Sequence, residues 1–164
     1  MTSVEGKTDT DGRFRITPYP GVRYGIIAFP PDGQPYQTQR LNDLKWTSGA
    51  ESKTIDIVLP RAAMASGVIT EAVSGKPIAN ASVQYRSMET NPNKRDGIVT
   101  GWQGVQKTND DGEFRIPVLP GEGWLLVHAF QSQYVVEERT VRELAYAKPG
   151  GRRLYAHAFV KINP

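Results

Sequence analysis

Two short acidic stretches contain the residues of this chain that come nearest to a metal-binding pattern. DTDG (9–12) has the carboxylate spacing of a calcium loop, and NDDG (109–112) resembles it 100 residues later. When their glycines are aligned with the glycine of an EF-hand, both stretches place a lysine at the first ligand position. Pro18 and Val118 stand where the bidentate glutamate belongs. We therefore interpret both stretches as turns, with a loosely bound surface ion at 109–111 as an open alternative.

Histidine chemistry has two candidate residues, His128 and His157. A distantly similar pattern, G-x-P-x-x-x-A-x-V, occurs in aromatic-ring dioxygenases, whose iron needs two tyrosines and two histidines. Each histidine here alternates with apolar neighbours on a predicted strand, and the sequence shows no Tyr–His cluster, so we predict no metal and no cofactor. The chain also lacks G-x-S-x-G and H-E-x-x-H motifs, and the adjacent pair Glu137-Glu138 has the pattern of a solvated surface. We therefore predict that the protein is not an enzyme.

The bulk composition excludes several further classes. There are no cysteines, which rules out disulfide bonds and thiol catalysis. No apolar run approaches the roughly 18 residues that a membrane span requires, so we predict no membrane insertion. The net charge is +3, and a mild basic bias near the C-terminus has no nucleic-acid recognition motif beside it. Nucleic acid is therefore not an expected partner.

An internal repeat organises the chain. TDTDGRFRITPYPG (8–21) and TNDDGEFRIPVLPG (108–121) agree at eight of fourteen positions. In each copy an Asp-Gly turn precedes alternating apolar and charged residues, which is typical of a half-buried strand. A Pro-Gly turn and another apolar stretch follow. We interpret the phrase as a module of strand, turn, strand, turn and strand.

Short apolar segments punctuated by glycine and proline predict an all-β protein. A few residues at helical spacing, Val141, Leu144 and Ala145, indicate a short helix, and Leu41 and Leu44 indicate a shorter one. The predicted strands are Gly12–Thr17, Val22–Phe29, Thr54–Leu59, Ala65–Thr70, Ala81–Ser87, Gly104–Thr108, Glu113–Val118, Trp124–Phe130 and Arg153–Ile162.

The repeat predicts two domains with a boundary near residues 61–64. Residues 63–164 have two strands before their copy of the phrase, whereas residues 1–62 have only seven residues there. A sandwich that lacks two strands exposes sheet edges and apolar faces. We therefore expect that 1–62 is the later part of a first domain, that 63–164 is a complete second domain, and that only 63–164 folds alone.

The second domain resembles the carboxypeptidase regulatory-like domain family. The resemblance rests on four stretches in order, GVIT (67–70), SGKPIANASV (74–83), TNDDGEF (108–114) and PG (120–121). Thr70 and Asn109 depart from the aspartates usual in that family. The match covers about 65–162 well and 7–60 as the later part of a domain. It implies tandem prealbumin-like (Ig-like) antiparallel β-sandwiches, which are non-catalytic accessory modules of exported, cell-surface or periplasmic proteins.

Two features could support recognition. The polar loop 88–103 contains Trp102 near its end, and long loops on a rigid scaffold often bind ligands. The last predicted strand places Tyr155, His157 and Phe159 on one face, with Leu154, Ala156, Ala158, Val160 and Ile162 on the other. The aromatic face indicates either a sugar-stacking platform or, as we favour, packing against a neighbouring domain.

These observations favour a structural function. We expect a spacer or accessory module of a larger exported polypeptide, whose partners are the neighbouring domains. The alternative is a module that binds glycan or protein through the 88–103 loop and Trp102.

Overall fold

A computed structural model describes residues 4–46, 49, 52–100, 104–130, 133–145 and 152–164. The described chain is all-β, and its strands pair antiparallel in several sheets. The strands are β1 (Arg23–Ala28), β2 (Gln39–Lys45), β3 (Ala63–Val68), β4 (Ser82–Ser87), β5 (Gln106–Lys107), β6 (Glu113–Val118), β7 (Gly123–His128), β8 (Glu137–Thr140), β9 (Arg153–Ala156) and β10 (Ala158–Ile162). We use the labels first repeat and second repeat for residues 1–62 and 63–164, the two parts that the sequence predicts.

A four-stranded sheet in the order β10-β7-β4-β5 lies at the centre of the second repeat. Strand β7 is nearly continuous in apolar residues, as a strand covered on both faces must be. Its Leu125 pairs with Tyr85 of β4 and with Val160 of β10. Because directly paired residues share a face, Leu126 lies on the opposite face with Gln84 and Phe159.

The sheet formed by β3 and β6 packs on one face of the central sheet. The core between them joins residues of both sheets in one buried cluster: Val83, Tyr85, Ile116, Val118, Leu119 and Leu125. Ile116 and Val118 of β6 are completely buried, which explains the alternation of apolar and polar residues along that strand. This two-layer packing gives the second repeat its main core.

The other face of β7 is covered by the β8–β9 pair and by the turn that follows β8. Leu126 packs there in a cluster with Leu144, Leu154 and Ala156. Trp124 contributes its indole Nε1–H, which donates to the Leu144 carbonyl at 2.9 Å. The residues at helical spacing, 141–145, form only a hydrogen-bonded turn, which ends where Ala145 adopts a left-handed φ of 46°. A short helix here was therefore a wrong expectation.

The two copies of the repeated phrase begin with the same turn. The Asp9 carboxylate accepts hydrogen bonds from the backbone N–H of Asp11 at 3.0 Å and of Arg13 at 2.8 Å. In the second copy the Asn109 side chain accepts from Asp111 at 3.1 Å and from Glu113 at 2.8 Å. The prediction of a turn at both sites is confirmed, and Asp and Asn are interchangeable there because both supply one acceptor oxygen.

The first repeat is built differently from the second. Its strands β1 and β2 pair with each other, with a bulge between Tyr24 and Ile26 in the register. The helical spacing of Leu41 and Leu44 was misleading, because both residues belong to strand β2. The predicted strands Gly12–Thr17 and Thr54–Leu59 are not part of any sheet.

The two repeats differ sharply in which side chains they bury. The hydrophobic side chains that are buried among the described residues all lie between Ile78 and Ala156. In the first repeat the buried residues are Gln37 and Thr38, with 3% and 7% exposure. Large apolar side chains such as Val22 and Val58 are more than four-fifths exposed. The first repeat therefore has no buried apolar core within its described residues.

Candidate functional site

The loop after β4 is fixed at its start by a buried asparagine. Asn91 is 4% exposed, and its Nδ2–H donates to the Glu122 carbonyl at 2.9 Å. Its Oδ1 accepts from the backbone N–H of Asn93 at 2.9 Å, and the Asn93 Nδ2–H donates to the Pro120 carbonyl at 3.0 Å. The first part of the loop is thus tied to the turn between β6 and β7, which removes much of the freedom that its length implies.

The later part of the loop joins the two repeats. The Arg40 N–H donates to the Gly97 carbonyl at 2.7 Å, and the Val99 N–H donates to the Thr38 carbonyl at 3.0 Å. Gln39 and Ile98 form an antiparallel bridge between these bonds. The backbone of the loop is therefore hydrogen-bonded to the first repeat at this point.

The same segment of the first repeat is bonded on its other side to residues 60–62, the last residues of that repeat. The Gln37 N–H donates to the Pro60 carbonyl at 2.8 Å, and the Ala62 N–H donates to the Pro35 carbonyl at 2.9 Å. Residues 35–40 thus lie between 60–62 and 97–99, and we call these three segments the joint. The burial of Gln37 and Thr38 follows from this position.

Gly97 is the residue at which the joint is most tightly packed. Its φ is +82°, a left-handed conformation that other residues adopt only with strain. A Cβ atom at this position would lie 2.2 Å from the Gln39 Nε2 and 2.5 Å from the Arg40 carbonyl oxygen. Only glycine allows the loop backbone to approach the first repeat this closely.

An open groove lies beside the joint. Its volume is about 320 Å³, and its walls are formed by Arg40, Asn42, Lys94 and residues 97–100. The Lys94 ammonium forms an ion pair with the Glu89 carboxylate. Trp102, the residue predicted to lead recognition by this loop, lies outside the described residues. The groove is lined mainly by polar groups, and Arg40 and Lys94 are its basic side chains.

The last predicted strand is broken at His157. Residues before the break form β9 and pair with β8, whereas residues after it form β10 and pair with β7. The break reverses the alternation, so Phe159 packs in the same cluster as Leu154 and Ala156. The expectation that Tyr155, His157 and Phe159 share one face is therefore wrong.

The three aromatic residues of this segment have different surroundings. Tyr155 is 52% exposed, and Phe159 packs beneath Arg139, whose guanidinium carbon lies 5.6 Å from the ring centroid. His157 lies at the break between β9 and β10 and is partly buried. A flat sugar-binding platform needs several exposed rings side by side, and these residues do not form one.

His157 belongs to a cluster that the sequence did not indicate. Its ring centroid lies 6.4 Å from that of His128 and 6.3 Å from that of Tyr134. The prediction that each histidine stands apart from any Tyr–His cluster is therefore wrong. His157 and Tyr134 are 23 positions apart in the sequence, and only the return of the chain at β10 brings them together.

The hydrogen bond of His157 determines what this cluster can do. The Ala129 N–H donates to the His157 Nδ1 at 3.1 Å, so Nδ1 carries no proton and Nε2 carries one in the neutral ring. A metal ion at Nε2 would displace the Nε2 proton. In the neutral ring that proton would then be on Nδ1, which could no longer accept the hydrogen bond from Ala129. Burial, with the neighbouring His157 and Arg86 charges, lowers the pKa of His128. The hydrogen bond to His157 and the burial of His128 are those of packed side chains rather than of metal ligands.

The acidic turns offer no better cation site. In both copies the residue at position 9 or 109 already uses its side-chain oxygen to accept two backbone N–H groups. The Asn109 Nδ2–H also donates to the Glu113 carboxylate at 3.0 Å. Within the described residues there is no group of three or more His, Cys, Asp or Glu side chains placed to hold a metal ion.

Comparison with known proteins found no match to this chain. No family model, no curated protein and no solved structure matches it. Within the part of the chain that the structure describes, no helix is long and apolar enough to cross a membrane. The joint, the groove and the His128–His157–Tyr134 cluster are the candidate functional features of the described chain.

Proposed function

We propose that the protein is a structural accessory module, in which two repeats are held at a fixed geometry so that they space or position other domains. We further propose that the repeats are tandem prealbumin-like domains of the carboxypeptidase regulatory-like type. The parent would be a larger exported polypeptide at the cell surface, in the periplasm or secreted. The motif order between 67 and 121 and the two-layer packing of β3–β6 on the central sheet support this assignment.

The main support for the proposal is the joint, where the backbone of the loop after β4 is hydrogen-bonded to the first repeat. Neighbouring domains move relative to each other unless their interface restrains them. In the joint, the bonds from Arg40 to Gly97 (2.7 Å) and from Val99 to Thr38 (3.0 Å) connect the backbone of the first repeat to that of the second. Each such bond contributes about 0.5–1.5 kcal/mol net, so the two together contribute about 1–3 kcal/mol. This contribution favours the docked arrangement of the repeats.

The loop is therefore better suited to packing than to free recognition. A binding loop presents its polar groups to a ligand, whereas residues 97–99 direct theirs to residues 38–40. Asn91 and Asn93 likewise direct their amides to carbonyls of the adjacent turn. This use of the loop favours the structural function over the binding function.

Substitution of Gly97 tests the proposal. Gly97→Val should collide with the Arg40 carbonyl and separate the repeats, because no side-chain rotation moves a backbone oxygen away. Gly75→Val is the matched control, since Gly75 also has a left-handed φ, +68°, but no atom within 4 Å of an added Cβ. Small-angle X-ray scattering should give the same maximum dimension for the wild type and Gly75→Val, and a larger, broader distribution for Gly97→Val. Identical scattering from all three proteins would contradict a joint that restrains the repeats.

The groove beside the joint favours a second candidate, a module that binds acidic glycan or protein. Its basic residues are Arg40 and Lys94, and Trp102, which lies outside the described residues, is the aromatic residue that the sequence assigns to recognition. Retention on an immobilised acidic polysaccharide should fall at least about tenfold in Trp102→Ala if this function holds, because aromatic anchors dominate such sites. Trp46→Ala is a control on the other repeat. Equal retention of both variants and the wild type would remove this candidate.

A further inference from the structure

A small cavity lies beside the joint, between the two repeats. Gln37 and Thr38 line it from the first repeat. From the second repeat it is lined by Tyr85 of β4, by Gly104 and by loop residues 99–100. It is distinct from the open groove, although residues 99–100 border both. The cavity is therefore part of the contact between the repeats.

The cavity lies where the pairing of β4 with β5 ends. The last pair on this side is Val83 with Gln106. Continuing the same register by two residues would place Tyr85 opposite Gly104, and these are the two residues that line the cavity here. Backbone N–H and C=O groups at the end of a ladder need other partners, and ordered water is one that commonly supplies them.

Gln37 brings a buried amide to this cavity. The residue is 3% exposed, and its backbone is fixed by the bond from the Gln37 N–H to the Pro60 carbonyl at 2.8 Å. The side-chain Nε2 has no hydrogen-bond partner within the described parts of the chain. A buried donor without a partner is unfavourable. Because the amide rotates about its last side-chain bond, either its N–H or its carbonyl oxygen can face the cavity, and water bonds to both.

The size and charge of the cavity define its occupant. The space open to the centre of a water molecule is about 10 Å³. One buried water needs roughly 10–15 Å³ of such space, so the cavity is just large enough for one water and too small for a larger ligand. Its described lining residues are uncharged, and burial raises the pKa of the Tyr85 phenol to about 12, so the phenol stays neutral. An ion would therefore be buried there without a counter-charge.

We propose that this cavity binds one water molecule that bridges the two repeats. On one side the water bonds to the side chain of Gln37. On the other side it bonds to polar groups of the second repeat where the β4–β5 ladder ends. A bridging water is enthalpically nearly as favourable as a direct hydrogen bond. The site therefore adds a polar connection to the two backbone bonds that join the repeats.

Nuclear Overhauser effects at the water resonance test the site on the full chain. A water that stays bound while the protein tumbles gives a negative NOE, whereas rapidly exchanging surface water gives a positive or vanishing one. We expect a negative NOE from water to the side-chain amide protons of Gln37 and to the methyl groups of Val99. The rotating-frame effect should have the opposite sign, which separates contact with water from proton exchange with the solvent.

A substitution of Gln37 tests whether its amide holds the water. Gln37→Met has a side chain of similar length without a donor or a carbonyl, so the water signal at the Val99 methyl groups should be lost. Gln34→Met is the matched control, because Gln34 is exposed and does not line the cavity, and it should keep the signal. The hydroxyl groups around the cavity are unchanged in Gln37→Met. A signal that persists in this variant would therefore come from them or from a water that Gln37 does not hold, and either source would overturn the proposal.

The site goes beyond the spacer function but rests on the joint, so the two are tested separately. Gly97→Val should lose the water signal together with its compact scattering, and Gly75→Val should keep both. A wild type that gives no negative NOE at Gln37 would overturn the water site and leave the joint intact, because the scattering comparison does not depend on the water. A signal that survives in a Gly97→Val protein with expanded scattering would show that the water does not bridge the repeats.

Discussion

Gly12 and Gly112 occupy the same turn in the two repeats, yet their surroundings differ. Both have φ near +75°, so alanine at either position carries the strain of a left-handed conformation. Only Gly112 is packed against another segment, at Ile69 and Pro77. Comparing the two positions therefore distinguishes two reasons for glycine: the left-handed φ that the turn needs at both, and the close packing that exists only at Gly112.

Substituting the two glycines in turn should therefore give different losses of stability. We expect Gly112→Ala to lower the free energy of unfolding by more than about 3 kcal/mol, from strain plus collision with the Ile69 carbonyl. Gly12→Ala should cost at most about 1–2 kcal/mol, from strain alone. Urea denaturation followed by circular dichroism measures both. Equal losses would show that the packing over Gly112 contributes nothing.

The histidine cluster predicts a pH dependence of stability. Burial lowers the pKa of His128 in the folded protein, while an unfolded histidine titrates near 6.5. The stability that its neutral form contributes is thus fully present above about pH 6.5 and is lost as the pH falls through the lower folded pKa.

Urea titrations at pH 7.5, 6.5 and 5.5 test this dependence. The wild type should lose more stability over that range than His128→Gln, because glutamine does not titrate. A wild-type protein that becomes more stable than the variant as the pH falls would contradict the assigned direction of the pKa shift.

At the scale of the elements, the sequence predicted strands best where local pattern and long-range pairing agree. Glu113–Val118 has the bounds that the alternation indicates, and Val22–Phe29 and Ala81–Ser87 differ by a residue or two from β1 and β4. The pattern reports a tendency to extend, not the presence of a partner strand. Residues 12–17 have the same pattern as β6 but no described partner, and so they form no ladder.

Helical spacing misled the prediction at equivalent sites for two reasons. Leu144 packs inward from a single turn, and the left-handed Ala145 prevents that turn from growing into a helix. Leu44 has the same offset within its repeat but belongs to β2, where a bulge changes the register. The sequence also did not predict the joint, because no residue pattern near position 39 or near position 98 indicates that the two pair with each other.

Leu144 and Leu44 occupy equivalent positions in the two repeats, so substituting each compares how much burial there contributes to stability. Leu144 is 1% exposed, so Leu144→Ala should cost about 2–5 kcal/mol of unfolding free energy. Leu44 is half-buried on a two-stranded sheet, and Leu44→Ala should cost less than about 1.5 kcal/mol. Equal costs in urea denaturation would mean that both repeats bury this position to the same depth.

At the scale of the whole molecule, the two repeats contribute unequally to stability. The buried apolar side chains of the described chain lie in the second repeat, while the first repeat is attached through the joint. We therefore expect residues 63–164 to unfold cooperatively when expressed alone, because they keep their core. Residues 1–62 alone should show no cooperative transition in calorimetry. A cooperative transition from 1–62 would contradict the expectation that they form only part of a domain.

The candidate function depends on how rigidly the joint connects the repeats. The groove concerns the second candidate, ligand binding, whereas the spacer function concerns the geometry at which the repeats are held. The two backbone bonds between residues 38–40 and 97–99 and the close approach of Gly97 favour one rigid body. If the repeats moved independently, the protein would be a flexible linker and would not hold other domains at a fixed spacing.

Backbone ¹⁵N relaxation of the wild-type chain is the measurement that tests this claim most directly. It reports a rotational correlation time separately for amides of β1 and β2 and for those of the central sheet. We predict a single value for both groups, because the joint makes the repeats tumble together. A clearly shorter correlation time for β1 and β2 would show that the first repeat moves on its own, and would contradict the proposed spacer function.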